Sequence, residues 1–441
     1  MSTKTFLLQE CKNVGGLLDQ TLKYEYGVDG SRDFYEECAT RLRYITSELQ
    51  SASETDLAEL ASSGVQLNEL ARLICRIERS SLGQYSWPFV EQLKKIAAAI
   101  CTEASLLSAG TPPKVYILAD GGLDTYAIYY EPNRPRVSQR RILTIVFPKS
   151  LKHFVLLHPI LGHEVGHAIW RCSKHQGRLR SQVISRLTDA TGIFASPDAT
   201  ANHLFSTSAP NEVKDFLKQF SRYQIDQTNL FSKYAKWDAW IEEILCDLIG
   251  LATFGPSFVA AHCELLYALN PSGIGFGPMH PPVAWRVNLM LRGATLLGYD
   301  AIPEDEAHEM RAPLKSFWGE MRAKKKLDPW FEIFSDTQLG DALAAIQKLL
   351  TANPPSPYSV PTIESLQSLL GMLRQQVPPV GFSIDEAGNP VCTAVDFRHI
   401  IFAGWIASKE NSLLEFDLVN RLCEHAIMQQ GAIDVLLGEE L

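Results

Sequence analysis

The sequence predicts a mainly helical α+β protein. Apolar residues recur every three or four positions, as in amphipathic helices, over residues 34–49, 57–77 and 89–107. Three short strand-like runs, separated by turns rich in Gly, Asp, Asn and Pro, follow at residues 115–118, 126–130 and 142–147. Helical patterns resume after residue 158 and dominate the remaining chain. The predicted fold is therefore a small β-sheet accompanied by many helices.

The helix boundaries follow from capping and helix-breaking residues. Thr55 or Asp56 suits the N-cap of the second helix, and Gly83 suits its end. Pro159 suits the first position of a helix that should run to about Ser173, because proline has no amide to leave unpaired. Three later features are a helix over 229–254 ended by Gly255-Pro256, a helix from about residue 283, and a hairpin near residues 385–389.

These features suggest three regions. We expect a helical N-terminal region over residues 1–107 and a catalytic domain over residues 108–300, with an insertion at 171–236. A mostly helical C-terminal region over residues 301–441 should follow, with a Pro-rich linker at 354–361.

Composition excludes several classes of protein. The 441 residues carry a net charge of −9, which argues against a dedicated nucleic-acid binder. The nine cysteines form no CxxC pair, so we expect free thiols rather than a disulfide framework. No segment supplies about 20 apolar residues free of charge, and the N-terminus lacks a signal-peptide core. We therefore expect a soluble, cytoplasmic protein with no membrane or nucleic-acid partner.

The strongest chemical signal is His-Glu-Val-Gly-His at residues 163–167. His163 and His167 are four residues apart, so they project from one helix face and can bind one Zn²⁺. Glu164 lies beside the metal without occupying it. There its carboxylate can take a proton from water that the metal has made more acidic.

A third metal ligand is expected on the helix predicted over residues 229–254. Glu243 and Asp247 are four residues apart on one face, and their neighbours are apolar. Buried carboxylates are costly unless they are paired or bound to a metal. A metal would satisfy one of them, and a hydrogen bond to a ligating histidine would satisfy the other. The alternative is that these residues form a solvent-facing acidic stripe, as Glu242 could.

A further candidate pair is His280, which precedes two prolines at a helix start, and Arg286, six residues later. The two side chains could stabilise the oxyanion of a tetrahedral intermediate or orient the carboxylates. The alternative for His280 is an ordinary loop histidine. The strand at 142–147 is a candidate sheet edge to which a substrate peptide could add as an extra strand.

Together the motifs resemble the gluzincin metallopeptidases, in which HExxH is followed by Glu-x-x-x-Asp on a later helix. The resemblance implies a zincin-like core, with Glu243 as the third zinc ligand and Asp247 supporting a zinc histidine. His280, Pro281 and Arg286 also match the His-Pro-x-x-x-x-Arg pattern of the CaaX-prenyl-endopeptidase-like branch. The resemblance covers roughly residues 110–295.

Three departures from this family are visible. Membrane members of the branch carry spanning helices, which this sequence lacks. The asparagine that often precedes the ligand glutamate is replaced by Glu242, and the GxMEN motif of aminopeptidases is absent. The sequence thus predicts a zinc endopeptidase acting on a protein or peptide. The alternatives are a catalytically inactive binding or regulatory protein of the same fold and a zinc hydrolase of a non-peptide amide.

Overall fold

The structure is a computed structural model that describes residues 2–22, 30–80, 114–119, 127–130, 142–151, 153–173, 209–220, 237–351, 357–384, 388, 390–410 and 415–436. The predicted helix at 89–107, the helix end at Gly83 and the first residues of the helix predicted from 229 lie outside these ranges. Within them the protein is mainly helical with short strands, which confirms the predicted α+β class.

The first compact unit contains the described residues up to 153. Its elements are α1 (Thr3–Thr21), α2 (Gly30–Ser51), α3 (Leu57–Ser80), β1 (Lys114–Ala119), β2 (Ala127–Tyr130) and β3 (Ile142–Phe147), with a 3-10 turn at Lys149–Leu151. Asp56 caps α3, because its carboxylate accepts the amide N–H of Glu59 at 3.1 Å. The helices and the sheet share one core, in which the rings of Phe34 and Tyr116 meet edge to face at 5.2 Å.

The three-stranded sheet has the order β1-β3-β2. Strand β3 pairs in parallel with β1 and antiparallel with β2. The prediction that residues 142–147 form a sheet edge is therefore wrong. Both sides of β3 already carry ladder hydrogen bonds, so a substrate peptide cannot add to this strand.

The second compact unit contains the described residues from 154 onward. Its α-helices are α4 (Leu161–Ser173), α5 (Asn211–Phe220), α6 (Trp237–Phe254), α7 (Pro256–Leu269), α8 (Val283–Leu296), α9 (Arg311–Ala323), α10 (Asp336–Thr351), α11 (Ile363–Arg374), α12 (Phe397–Lys409) and α13 (Phe416–Leu436). It also contains 3-10 turns at His158–Ile160 and Pro329–Phe331. The predicted hairpin is confirmed: β4 (Phe382–Ile384) pairs antiparallel with β5 (Pro390–Cys392).

This division differs from the predicted boundaries near residues 107 and 300. The strands group with the N-terminal helices because β1 packs against α3. The helices after residue 300 group with those before it, since α10 packs against both α6 and α8. Contacts between residues distant in sequence thus decide the grouping. Changes in composition along the chain do not reveal such contacts.

Two glycines bring α4 and α6 unusually close together. A Cβ atom on Gly162 would lie 3.0 Å from the Cα of Gly250, and one on Gly166 would lie 2.5 Å from the Cα of Cys246. Backbone atoms cannot move aside as a flexible side chain can. Because His163 and His167 directly follow these glycines, the close approach brings both imidazoles against α6.

We expect the substitution Gly166→Ala to lower the free energy of unfolding by about 1–3 kcal/mol, since the added methyl group overpacks the helix contact. Chemical denaturation followed by circular dichroism would measure the change. The matched control is Gly319→Ala on α9, where a Cβ meets no atom within 4 Å. That variant should gain about 0.5–1 kcal/mol from helix propensity. Equal stability of the two variants would contradict the close approach.

The C-terminal end of α6 is capped by residues from far along the chain. The amide of Tyr358 donates to the carbonyl of Ala252 at 2.8 Å, and the guanidinium of Arg398 donates to the carbonyl of Thr253 at 2.9 Å. Gly255 then turns the chain with φ 59°, which ends α6 as predicted, and a further helix, α7, begins at Pro256. The last carbonyls of a helix need such partners, because they have none within the helix.

The helices and the cysteines of the described residues bear on two expectations from the sequence. None of their helices has both the length and the apolarity needed to cross a bilayer. The six cysteines whose side chains are described are free thiols, in agreement with the expectation from spacing: Cys11, Cys38, Cys75, Cys246, Cys263 and Cys423.

Candidate metal centre

Three helices and one loop of the second unit bring the predicted site residues together. Helix α4 carries His163, Glu164 and His167, and the facing side of α6 carries Glu243 and Asp247. Arg286 comes from α8, and His280 comes from the loop that precedes α8. Residues separated by more than 100 positions in sequence thus meet in one cluster, apart from the more exposed His280.

The two imidazoles and the Glu243 carboxylate converge on a common point. The Nε2 atoms of His163 and His167 lie 3.1 Å apart. Glu243 Oε1 lies 3.3 Å from Nε2 of His167, and Oε2 lies 3.4 Å from Nε2 of His163. Zinc bonds of about 2.0–2.1 Å in a tetrahedron place two ligand atoms about 3.3–3.4 Å apart. The observed separations therefore fit a small cation bound by all three groups.

The opposite nitrogen of each imidazole is held by a second carboxylate. Nδ1 of His163 lies 2.8 Å from Asp247 Oδ1, and Nδ1 of His167 lies 2.8 Å from Glu242 Oε1. A carboxylate only accepts hydrogen bonds, so each Nδ1 must donate its proton. In neutral rings both Nε2 lone pairs would then face each other. A proton or a cation between them removes that repulsion.

Arg286 neutralises part of the carboxylate charge from beneath the site. Its Nε and Nη2 donate to the two oxygens of Asp247 at 2.7 and 2.8 Å. Its Nη1 lies 3.1 Å from Glu243 Oε2. The side chain is only 5% exposed, so it cannot reach an incoming substrate. Of the two predicted roles, orientation of the carboxylates fits this geometry and oxyanion stabilisation does not.

The pKa values of the carboxylates follow from this pairing. Burial raises the pKa of both Glu243 and Asp247, but the guanidinium of Arg286 outweighs it, and both values lie well below the usual range. The two carboxylates are therefore charged at neutral pH. With Glu242 they provide three negative charges against one guanidinium, an excess of two. Two protonated histidines or one divalent cation would balance that excess.

The histidines respond to the same charges. Burial lowers the pKa of His163, but the carboxylates of Glu243 and Asp247 outweigh burial and raise it above the usual value. Burial also opposes protonation of His167, but its neighbours Cys246, Glu242 and Glu243 hold its pKa well above the usual value. Each imidazole therefore favours a positive charge at its Nε2 side. A metal ion can take the place of that proton.

Two other groups of side chains have ligand atoms within 4.8 Å of one another: His163, His167 and Cys246, and His163, Asp247 and His262. In the second group, both oxygens of Asp247 already accept from the guanidinium of Arg286, so neither is free to face a cation. In the first, burial raises the pKa of the Cys246 thiol to about 12, so a metal would have to displace a tightly held proton to bind there.

Glu164 and His280 differ in their exposure to solvent. Glu164 is only 6% exposed, yet no group among the described residues forms a hydrogen bond or an ion pair with its carboxylate. The His280 side chain is 64% exposed, with Nε2 3.8 Å from Glu243 Oε1. Its loop is anchored because Trp240 Nε1 donates to the carbonyl of Gly277 at 3.0 Å. The exposed ring of His280 is thus placed where a ligand could reach it.

Sequence reasoning missed the positions of two residues. Glu242 was considered a solvent-facing residue, but its carboxylate accepts Nδ1 of His167 and its side chain is 19% exposed. His262 has no histidine or acidic partner at helical spacing in the sequence, so no motif includes it. It is buried on α7 with Nε2 2.9 Å from Asp247 Oδ1. The replacement of asparagine by Glu242 was a usable signal for the first, whereas no local pattern marks the second.

The chain matches no protein-family model, no curated protein and no solved structure. The function proposed below therefore depends on the geometry of the site and on the resemblance of its motifs to those of the gluzincins.

Proposed function

We propose that this protein is a zinc-dependent endopeptidase of the gluzincin type. The observation that carries the proposal is the convergence of two imidazole Nε2 atoms and one carboxylate within 3.1–3.4 Å of one another. The finer fold assignment, a zincin-like core built around the α4 helix, is part of the same proposal. The substrate would be a protein or a peptide.

Zinc would be held by His163, His167 and Glu243. This set is preferred to the two alternatives for two reasons. Both oxygens of Asp247 accept from Arg286, whereas Oε1 of Glu243 is directed toward Nε2 of His167. The Cys246 thiol would have to lose a proton to bind. Oε2 of Glu243 is anchored by Arg286, which leaves Oε1 directed toward Nε2 of His167. Bound zinc would polarise the scissile carbonyl and lower the pKa of water to about 7.

Four residues of the chain would supply proton transfer, oxyanion stabilisation and orientation of the ligands. The carboxylate of Glu164 would take a proton from the attacking water and pass it to the leaving amine. His280 would donate a hydrogen bond from its exposed ring to the oxyanion of the tetrahedral intermediate. Asp247 and Glu242 would hold the two imidazoles with Nε2 directed at the metal.

The direct test measures metal content and hydrolysis in the full chain. We expect one zinc per chain by elemental analysis, and cleavage of a broad peptide library that stops after chelation and returns when zinc is restored. His163→Ala should lose both the metal and the activity. Cleavage that survives removal of the metal would contradict the proposal. A protein that binds zinc but cleaves no peptide would favour the non-catalytic alternative or a non-peptide amide substrate.

Glu242 provides a test of whether the carboxylate that holds His167 supports zinc binding. We expect Glu242→Gln to weaken zinc affinity by about 10–100-fold, since the amide accepts the His167 hydrogen bond without the carboxylate's charge. Competition with a chromophoric chelator would measure the dissociation constant. Glu264→Gln on α7 is the control, because that carboxylate pairs with Lys324 and Lys409 instead. Equal affinity in both variants would show that Glu242 does not support the site.

A further inference from the structure

The candidate is His262, a buried histidine that the proposed reaction does not use. It lies on α7 and is 3% exposed. Its Nε2 is 2.9 Å from Asp247 Oδ1 and 2.8 Å from Nη2 of Arg286. Its ring stacks on His163 with centroids 5.0 Å apart and on Phe258 at 4.9 Å. The residue therefore contacts a proposed zinc ligand and also the carboxylate that orients that ligand.

The contacts around His262 indicate which of its ring nitrogens carries the proton. Nδ1 of His262 is buried and has no partner among the described residues. A proton on Nδ1 would be an unpaired buried donor and would set the Nε2 lone pair against Asp247. A proton on Nε2 instead donates to Asp247 and leaves a lone pair, rather than an N–H, unsatisfied at Nδ1. Its cost is that Nε2–H faces Arg286 Nη2, which also only donates, at 2.8 Å. Orphaned N–H groups are the rarer of the two in proteins, so Nε2–H is favoured.

Asp247 then receives four donors. Its Oδ1 accepts from His163, from Arg286 Nη2 and from His262, at 2.8, 2.8 and 2.9 Å. Its Oδ2 accepts from Arg286 Nε at 2.7 Å. A carboxylate offers about four acceptor positions, so none is left for water or for a second rotamer. The carboxylate is thereby fixed from α4, α7 and α8 at once.

We infer that His262 is a positioning residue for the metal centre, acting on His163 through Asp247. The inference rests on the proposed function and deepens it, because it adds a third helix to the support of one zinc ligand. The Nε2–H of His262 fixes the Asp247 carboxylate, which in turn fixes the ring plane and tautomer of His163. The ring of His262 also stacks on that of His163.

Two substitutions separate the hydrogen bond from the ring. His262→Phe keeps an aromatic ring and removes the donor, while His262→Gln places an amide donor near the position of Nε2 and removes the ring. We expect zinc affinity, measured by chelator competition, to fall about 10–100-fold in the Phe variant and to recover largely in the Gln variant. Leu266→Ala, one turn further along α7 and also buried, controls for general loosening of the helix. Its zinc affinity should stay close to that of the wild type.

Ring-nitrogen NMR of the metal-free protein provides a second readout that needs no activity. We expect His262 to carry its proton on Nε2, and His163 to lose its single tautomer in the Phe variant. Wild-type affinity in the Phe variant, equal losses in both variants, or a proton on Nδ1 would each overturn the inference. Zinc binding without peptide cleavage would count against the peptidase alone. A wild-type protein that binds no zinc would overturn both.

Discussion

Replacement of Glu164 by glutamine is expected to reduce peptide hydrolysis by about 10²–10⁴-fold while zinc content stays at one ion per chain. Glutamine has nearly the same size, but it cannot take a proton from water. The wild-type carboxylate is buried and unpaired among the described residues, so no structural contact is lost with the charge. Steady-state kinetics on a fluorogenic peptide, together with elemental analysis, would measure both quantities.

The control for this experiment is Glu304→Gln, which removes the same charge from an exposed position outside the site. Its activity should equal that of the wild type. If Glu164→Gln cleaved the peptide as fast as the wild type, Glu164 would not be the general base. If it lost zinc as well as activity, the carboxylate would support the metal rather than the proton transfer.

Replacement of Arg286 by methionine is expected to lower the free energy of unfolding of the metal-free protein by about 3–5 kcal/mol. The guanidinium is buried and donates to Asp247 while pairing with Glu243. Its removal leaves two buried carboxylates without a compensating charge. Zinc should recover part of the loss, because a ligand that binds only the folded state stabilises it by mass action. Denaturation with and without zinc would measure both effects.

Arg292→Met on the same helix is the matched comparison. Arg292 pairs with Asp336, whose side chain is 70% exposed, so we expect a loss of only about 1 kcal/mol. Arg286→Lys tests the geometry, since a single ammonium cannot bridge both carboxylates as the planar guanidinium does. Equal losses in the free energy of unfolding for the Arg286 and Arg292 methionine variants would contradict a larger contribution from the buried ion pairs.

Local sequence patterns predicted the elements that carry the candidate site. The helix ending at Ser173, the break at Gly255-Pro256 and the helix start at Val283 all follow from capping and proline rules that act within a few residues. The spacing of His163, Glu164 and His167 placed their side chains on one helix, and burial rules singled out Glu243 and Asp247. In the structure these carboxylates do face the two imidazoles.

The remaining features depend on contacts between distant segments. Nothing near His262 indicates that α7 would bring it against Asp247, because that contact is set by how α7 packs beside α6. Strand order also depends on distant segments. The pattern of apolar residues predicts that residues 142–147 form a strand but not that this strand lies in the centre of the sheet. Gly162 and Gly166 are visible in the sequence as small residues beside the histidines. Their role in the close contact with α6 required the partner helix.

The caps on the last turn of α6 also bear on how the protein can be dissected. The helix that presents Glu243 and Asp247 has its final carbonyls satisfied by Tyr358 and Arg398, more than 100 residues further along the chain. A fragment cut after α8 would keep every proposed ligand but would expose those carbonyls and the apolar surface that α10 covers. Truncation at an apparent boundary near residue 300 would thus yield an insoluble or metal-free fragment, even though its sequence holds the complete motif.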